Sequence, residues 1–317
     1  MDAAMMMNTL KSDGGHYTSD ALQATLLTMK TILVLTDFSI NADYAAQYAL
    51  RFAQEIGANI LLCNIYQVPA DDETTDRASW PMQACEENSN NDLGAQVAQL
   101  KSLLDAEVSG DGFRPEVEQY SVEGSLSNTV TQLAATHDLL MAVISTHSAD
   151  KISEYFNTDH CWAVIDDAAI PVLVIPYQVR FKPFRIIAFG TVMNYTDMNI
   201  LESLTGLASY SNAEIVVANI APEKEMGNQV KQFFNPVPGK INYPNIIYHS
   251  IVGNNPVSGL KEFCTHVDVD LLAMVHQKDN FFDKLFGGSI TRKMAKKPNK
   301  PILIFPGSTI KDTISVF

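Results

Sequence analysis

The chain has 317 residues, 46% of them apolar and 18% charged, with a formal net charge of −14. That balance belongs to a folded protein rather than a disordered one, and the length suffices for two domains of about 150 residues, each with its own core. The acidic excess excludes general binding to nucleic acid or to an anionic membrane, and no apolar run reaches the roughly 18–20 residues of a membrane span.

Residues 1–28 read as a poorly structured leader, because they lack the basic start and long apolar stretch of a signal peptide. Met29 stands directly before the first strand, KTILVL, so a start at Met29 and an unpacked tail are both open readings. The four cysteines, Cys63, Cys85, Cys161 and Cys264, form no CxxC pair, which is the usage of a reducing compartment and points to the cytoplasm.

The first half runs strand 31–36, helix 41–56, strand 59–66, a polar loop 67–90, helix 92–108, strand 115–122, helix 125–136, strand 139–145, helix 159–169 and strand 171–176. Strand 31–36 is almost wholly apolar, as a strand covered on both faces must be. In helix 41–56, Ala45, Tyr48, Ala49, Phe52 and Ile56 recur at three and four, and Gly57 stops it. After a linker at 177–183, the order returns. It runs strand 185–190, helix 195–210, strand 213–220, helix 223–235, strand 245–252, helix 256–266, strand 270–276, helix 289–297 and strand 301–306, before a tail at 309–317.

The recurrence is visible in the residues. TILVLTDFS (31–39) answers RIIAFGTVM (185–193), Asp138-LLMAVIS answers Asp270-LLAMVHQ, and PVLVIP (171–176) answers PILIFP (301–306). Matched landmarks in one order mean tandem copies of one α/β unit. Strands alternating with helices imply parallel sheets covered on both faces, with ligands beyond the carboxyl ends of the strands.

With Gly124 and Gly253 after the third strands and GGS before the last helix, the chain resembles a tandem universal stress protein over residues 29–307. The resemblance implies an α/β fold. Two doubly wound parallel-sheet domains of the adenine nucleotide alpha hydrolase-like type, 29–178 and 183–308, would form an intramolecular pseudo-dimer. In this family the last strand crosses to its counterpart in the neighbouring unit. Association of two whole chains is a further open reading.

The resemblance also implies where an adenine nucleotide, the candidate cofactor, would lie. Nucleotide-binding members carry G-x2-G-x9-G-[ST] after the fourth strand, with an Asp after the first. Glycines let backbone N–H groups approach phosphates, and the last pair opens a helix facing them. The first repeat keeps Asp37, with Ile65 and Gly124 at other nucleotide-lining positions, but its loop has Ser145, Ser148, Thr158 and Asp159 in place of the pattern. Thr158 or Asp159 reads as a helix cap. The second repeat keeps Gly288-Ser289 but has Val275 and Lys278 for the earlier glycines, and Thr191 at the Asp position. Gly288-Ser289 reads as a helix cap or as a residual anion site helped by Lys278 and Arg292.

His147, Asp159, His160 and Cys161 match no closed zinc spacing, and Ser145 or Ser148 with His147 lacks an acid and an oxyanion hole. Trp80 and the acidic stretch around it read as a solvated loop or a partner contact. The expectation is a non-enzymatic stress-response module acting through a protein partner or small ligand, with degenerate nucleotide sites. Its rival is an adenine-nucleotide sensor working through the first repeat.

Overall fold

The computed structural model describes residues 30–68, 79–106, 112–146, 158–167, 169–191, 193, 197–221, 241–253, 255–276, 290–295 and 298–307. Repeat one consists of β1 (Thr31–Leu35), α1 (Ile40–Ile56), β2 (Asn59–Tyr66), α2 (Ser79–Asp105), β3 (Val117–Glu123), α3 (Leu126–Thr136), β4 (Leu139–Ser145), α4 (Thr158–Asp167) and β5 (Val172–Ile175). Repeat two consists of β6 (Ile186–Gly190), α5 (Asp197–Ser211), β7 (Glu214–Ala221), β8 (Ile246–Val252), α6 (Pro256–His266), β9 (Leu271–His276), α7 (Ile290–Ala295) and β10 (Ile302–Pro306). The helix expected at 223–235 lies outside the described residues. No described helix is long and apolar enough to cross a membrane.

The strands form one ten-stranded sheet in the order β3-β2-β1-β4-β5-β10-β9-β6-β7-β8. Within each repeat all pairings are parallel. The joint is antiparallel, with Ile302 opposite Val174, Leu303 opposite Leu173 and Ile304 opposite Val172. The two closing strands therefore meet inside one chain. Neither leaves its own unit to do so, because β5 keeps its other edge on β4 and β10 keeps its other edge on β9. All four residues of β5 are buried, so both edges need a backbone partner.

The antiparallel joint has two consequences. The carboxyl ends of the repeat-one strands point to one edge of the sheet, and those of repeat two point to the opposite edge. Each face of the sheet also carries an apolar layer that runs through both repeats. One contains Ile32, Phe52 and Leu100 together with Phe189, Leu204 and Leu303. The other contains Leu33, Ile144 and Val174 together with Ala188, Leu272 and Ile304.

Local chemistry explains the helices. Ser39 caps α1 by accepting from the Ala42 N–H at 3.2 Å. Gly57, at φ 72°, ends it in the left-handed conformation. The linker then packs along α1. Tyr177 meets Tyr44, Phe181 meets Tyr48 and Phe52, and Phe184 meets Phe52, with ring centroids 5.2–5.7 Å apart. Aromatic residues four apart on the helix take aromatic residues three or four apart on the linker, because helical side chains at that spacing share a face.

The stretch expected as loop 67–90 is corrected in part, since α2 begins at Ser79 and runs 27 residues. Its second half packs through Leu93, Val97, Leu100 and Leu104. Its first half is held by polar anchors. Ser89 is buried, donates to Asn64 Oδ1 at 2.8 Å and lies 2.6 Å from the Ser121 hydroxyl. An apolar period search does not see such an anchor.

Candidate functional site

In repeat one the switch in strand order falls between β1 and β4, and ligands of such sheets lie beyond the strand ends at that place. Thr36 follows β1. Its N–H donates to the Cys63 carbonyl at 2.9 Å and its hydroxyl accepts from the Phe38 N–H at 3.1 Å. Phe38 takes φ 60°, an uncommon conformation for a bulky residue. Asp37, half-buried, sits in this tight turn and accepts from the Ser39 N–H at 3.0 Å. Asn64 is buried one strand away and donates to the Thr36 carbonyl at 2.7 Å. The turn that presents Asp37 is thus held from below by the Asn64–Ser89–Ser121 chain of hydrogen bonds.

Ile65 is buried on β2, opposite Val122 of β3. Gly124 follows β3 at φ 155° and donates its N–H to the Tyr66 carbonyl at 3.2 Å. Ser145 is the last residue of β4, buried and in register with Ile175. Just beyond it, the Thr146 carbonyl accepts from the Asn41 side chain at 3.0 Å, a bond that ties α1 to the end of β4. Asp37, Ile65, Gly124 and Ser145 therefore share one edge of the sheet. Thr158 opens α4, but its side chain lies outside the described residues, as do Ser148, Gly288 and Ser289. The antiparallel joint puts the carboxyl end of β9 at the edge of the sheet opposite the turn that carries Asp37.

The equivalent turn in repeat two corrects one assignment. Leu35 pairs with Cys63 and Gly190 with Ala218. The Thr191 N–H donates to the Ala218 carbonyl at 3.0 Å, its hydroxyl accepts from the Met193 N–H at 2.7 Å, and Met193 has φ 60°. Thr191 therefore matches Thr36, not Asp37. The residue at the Asp37 place in the chain is Val192, outside the described residues. The two apolar runs align at offsets one residue apart, because β1 and β6 are both short buried strands whose register the hydrogen bonds set, not their composition. The corrected register persists to the helix ends. Gly57 and Asn212 both take the left-handed conformation, and the Ala58 and Ala213 N–H groups donate to Ala53 and Ala208. Met198 thus stands at the place of Asp43. The Thr191 hydroxyl donates to Asp197, a buried carboxylate in the first turn of α5.

Val275 is opposite Phe305, as Ser145 is opposite Ile175, so the expected match of Val275 with Ser145 agrees with the strand register. At the next position the repeats differ again. His276 is buried and lies 2.8 Å from Asp166 of α4, so repeat one places a carboxylate over the end of β9. The His276 carbonyl accepts from the Gly307 N–H at 2.6 Å, whereas the matching Thr146 carbonyl takes a side chain from α1.

Residues 28–176 match the family model described as the universal stress protein family. Those residues form a universal stress protein domain. The universal stress fold extends to the rest of the molecule. A universal stress protein from Archaeoglobus fulgidus DSM 4304 superposes with a TM-score of 0.68 at 11% identity, covering 87% of this chain and 98% of that one. A putative universal stress protein from Pseudomonas aeruginosa UCBPP-PA14 gives 0.52 at 13% identity, covering 92% and 97%. The cytoplasmic domain of a prokaryotic cation chloride cotransporter gives 0.51 at 12% identity, covering 87% and 95%. At such identities the likeness establishes the fold and leaves activity to the residues of the site. A comparison with curated proteins returned no significant match.

Sequence reasoning did not single out Thr36, Asn41, Asn64, Ser89 or Gln96. A signal existed for Asn64. The second strands read LLCNIY and VVANIA, so a buried Asn recurs at one place in both repeats, as Asn64 and Asn219. The Cys63 thiol is pushed up to about 12 and that of Cys264 to about 11, in both cases chiefly by burial. Both are poor nucleophiles at neutral pH. His147 lies outside the described residues, and Asp159, His160 and Cys161 are described in their backbone alone. Among the described residues no group of three or more His, Cys, Asp or Glu side chains is placed to hold a metal.

Proposed function

We propose that this protein is a non-enzymatic stress-response module of the cytoplasm, acting through a partner or small ligand, in which repeat one is the ligand-facing half and repeat two its structural complement. The observation that carries this reading is the difference between the two strand ends. Repeat one presents Asp37 in a braced turn, with Ile65 and Gly124 beside it. Repeat two has Val192 and Val275 at the matching places and a His276–Asp166 contact over the end of β9. Both phosphate loops depart from the glycine pattern, which argues for weak nucleotide affinity. Among the described residues no nucleophile–base–acid arrangement stands ready to turn a bound ligand over.

The second reading, an adenine-nucleotide sensor, is favoured by one feature, the convergence of Asp37, Ile65 and Gly124 on a single edge. Denaturing the purified protein and analysing what it releases, then titrating ATP and AMP by calorimetry, separates the two. The leading reading expects no stoichiometric nucleotide and little heat. Bound nucleotide at one per chain would establish the sensor in its place.

A further inference from the structure

The sheet has two outermost strands, β3 in repeat one and β8 in repeat two. Among the described residues each has a strand neighbour on one side only. The Ile215 N–H donates to the Asn245 carbonyl at 2.8 Å, and the register runs from Ile215 opposite Ile246 to Ala221 opposite Val252. In a parallel pair alternate residues turn their backbone groups toward the neighbour. Asn245, Ile247, His249 and Ile251 therefore face β7, while Ile246, Tyr248, Ser250 and Val252 point their N–H and C=O groups away from the sheet. The Ile60 N–H, which donates to the Glu116 carbonyl at 2.9 Å, likewise turns Val117, Gln119, Ser121 and Glu123 outward on β3.

The two flanks differ in charge. β3 carries Glu118 and Glu123, with Glu116 just before it, and its Ser121 hydroxyl lies 2.6 Å from that of Ser89 on α2. Charge on an outermost strand discourages a further strand from pairing there. β8 reads IIYHSIV, without Asp, Glu, Lys or Arg, yet Ile247 is 48%, Tyr248 40% and Val252 62% exposed. Ile246 packs against one apolar layer and Ile251 against the other, so β8 is held from both faces with its outward groups along the flank.

We propose that β8 pairs with β8 of a second copy of this chain, antiparallel about a twofold axis at His249. That register overlaps all seven residues of the strand. It sets Ile246 opposite Val252, Ile247 opposite Ile251 and Tyr248 opposite Ser250, so outward backbone groups meet outward ones and exposed apolar side chains meet apolar partners. A slip of one residue would set outward groups against inward ones and lose the hydrogen bonds. Charge selects the occupant. Two chains of net charge −14 repel, and β8 is the flank at which they join without bringing glutamates together. The pairing is independent of any ligand at repeat one.

The test is sedimentation velocity of the full chain across a wide range of concentration, at an ionic strength of about 0.15 M so that net charge does not mask association. A monomer–dimer equilibrium is expected. Val252→Asp and Ser250→Pro should each weaken it by about tenfold or more, because one sets a carboxylate against Ile246 of the copy and the other removes an outward N–H without touching the bonds to β7. Gln119→Pro, at an outward place on β3, should leave it unchanged. Circular dichroism checks that each variant is folded, and Val252→Asp, on a side chain mostly in solvent, serves if Ser250→Pro is not. A chain that stays monomeric at every concentration would leave β8 to an extended segment of another protein. A dimer formed equally by wild type and the folded variants would place the interface elsewhere. Either result overturns the proposal.

Discussion

The two repeats share a backbone but use the same positions differently. At the carboxyl end of the first strand both form one tight turn, built on Thr36 and on Thr191. Repeat one follows its threonine with Asp37, whereas repeat two follows with Val192 and spends the threonine hydroxyl on Asp197. At the other end of the sheet the contrast reverses. Exposed Asp138 contributes its carbonyl to the Thr31 N–H at 3.0 Å. The similar-looking Asp270 is buried, and its carboxylate accepts from the Arg185 and Ile186 N–H groups at 2.8 and 3.1 Å and pairs with Lys182 at 2.5 Å. A repeated fold thus leaves each copy free to keep polar chemistry at one end and lose it at the other.

The largest effect that would sharpen this comparison is at Asp270. Asp270→Ala leaves two backbone donors without their acceptor and should cost about 3 kcal/mol, whereas Asp138→Ala should stay within about 0.5 kcal/mol, both by chemical denaturation. Burial raises the Asp270 carboxyl, but Lys182 and the two N–H groups outweigh it and hold the group below its ordinary range. Its folded pKa is therefore below the unfolded value of about 3.9, so its stabilisation is present above that pH and fades as pH falls through the folded value. A stability profile of Asp270→Asn should lack that acid decline. An identical slope would show that the ion cluster is incidental.

Next in size, Asn64→Leu leaves the Ser89 hydroxyl with Ser121 as its one partner and takes the side-chain donor from the Thr36 carbonyl, and should cost about 2 kcal/mol. Hydrogen exchange should localise the loss to α2 and the β1–α1 turn. Uniform loss across both repeats would mean that the chain melts as one layer. Third, should nucleotide binding be measured, Asp37→Ala should weaken it at least tenfold, or about 1.4 kcal/mol, while Ser289→Ala leaves it unchanged. The opposite pattern would exchange the roles given to the repeats.

The smallest effect is at the glycines after the third strands. Gly124→Ala meets a φ of 155° and should cost about 1 kcal/mol. Gly253→Ala brings a methyl to 3.4 Å from Ile220 and should be almost neutral in thermal unfolding.

Much of the fold was legible because strands buried on both faces must be written in apolar residues, and because the second copy repeats the first. The helical start of α2 was not, since EENSNN carries no apolar period and depends on Ser89 finding Asn64 and Ser121. The equivalence of Thr191 with Thr36 was equally hidden, because an apolar strand aligns with another at more than one offset.

By itself the sequence determined the α/β class, the tandem order and the survival of Asp37 in one copy only, since each depends on local pattern. The tertiary structure decided the rest. The antiparallel seam of β5 and β10 sends the carboxyl ends of the two sets of strands to opposite edges, and the pairing of buried backbone groups sets which residues of the two copies correspond. Both rest on hydrogen bonds between segments far apart in the chain, whose geometry no local pattern records.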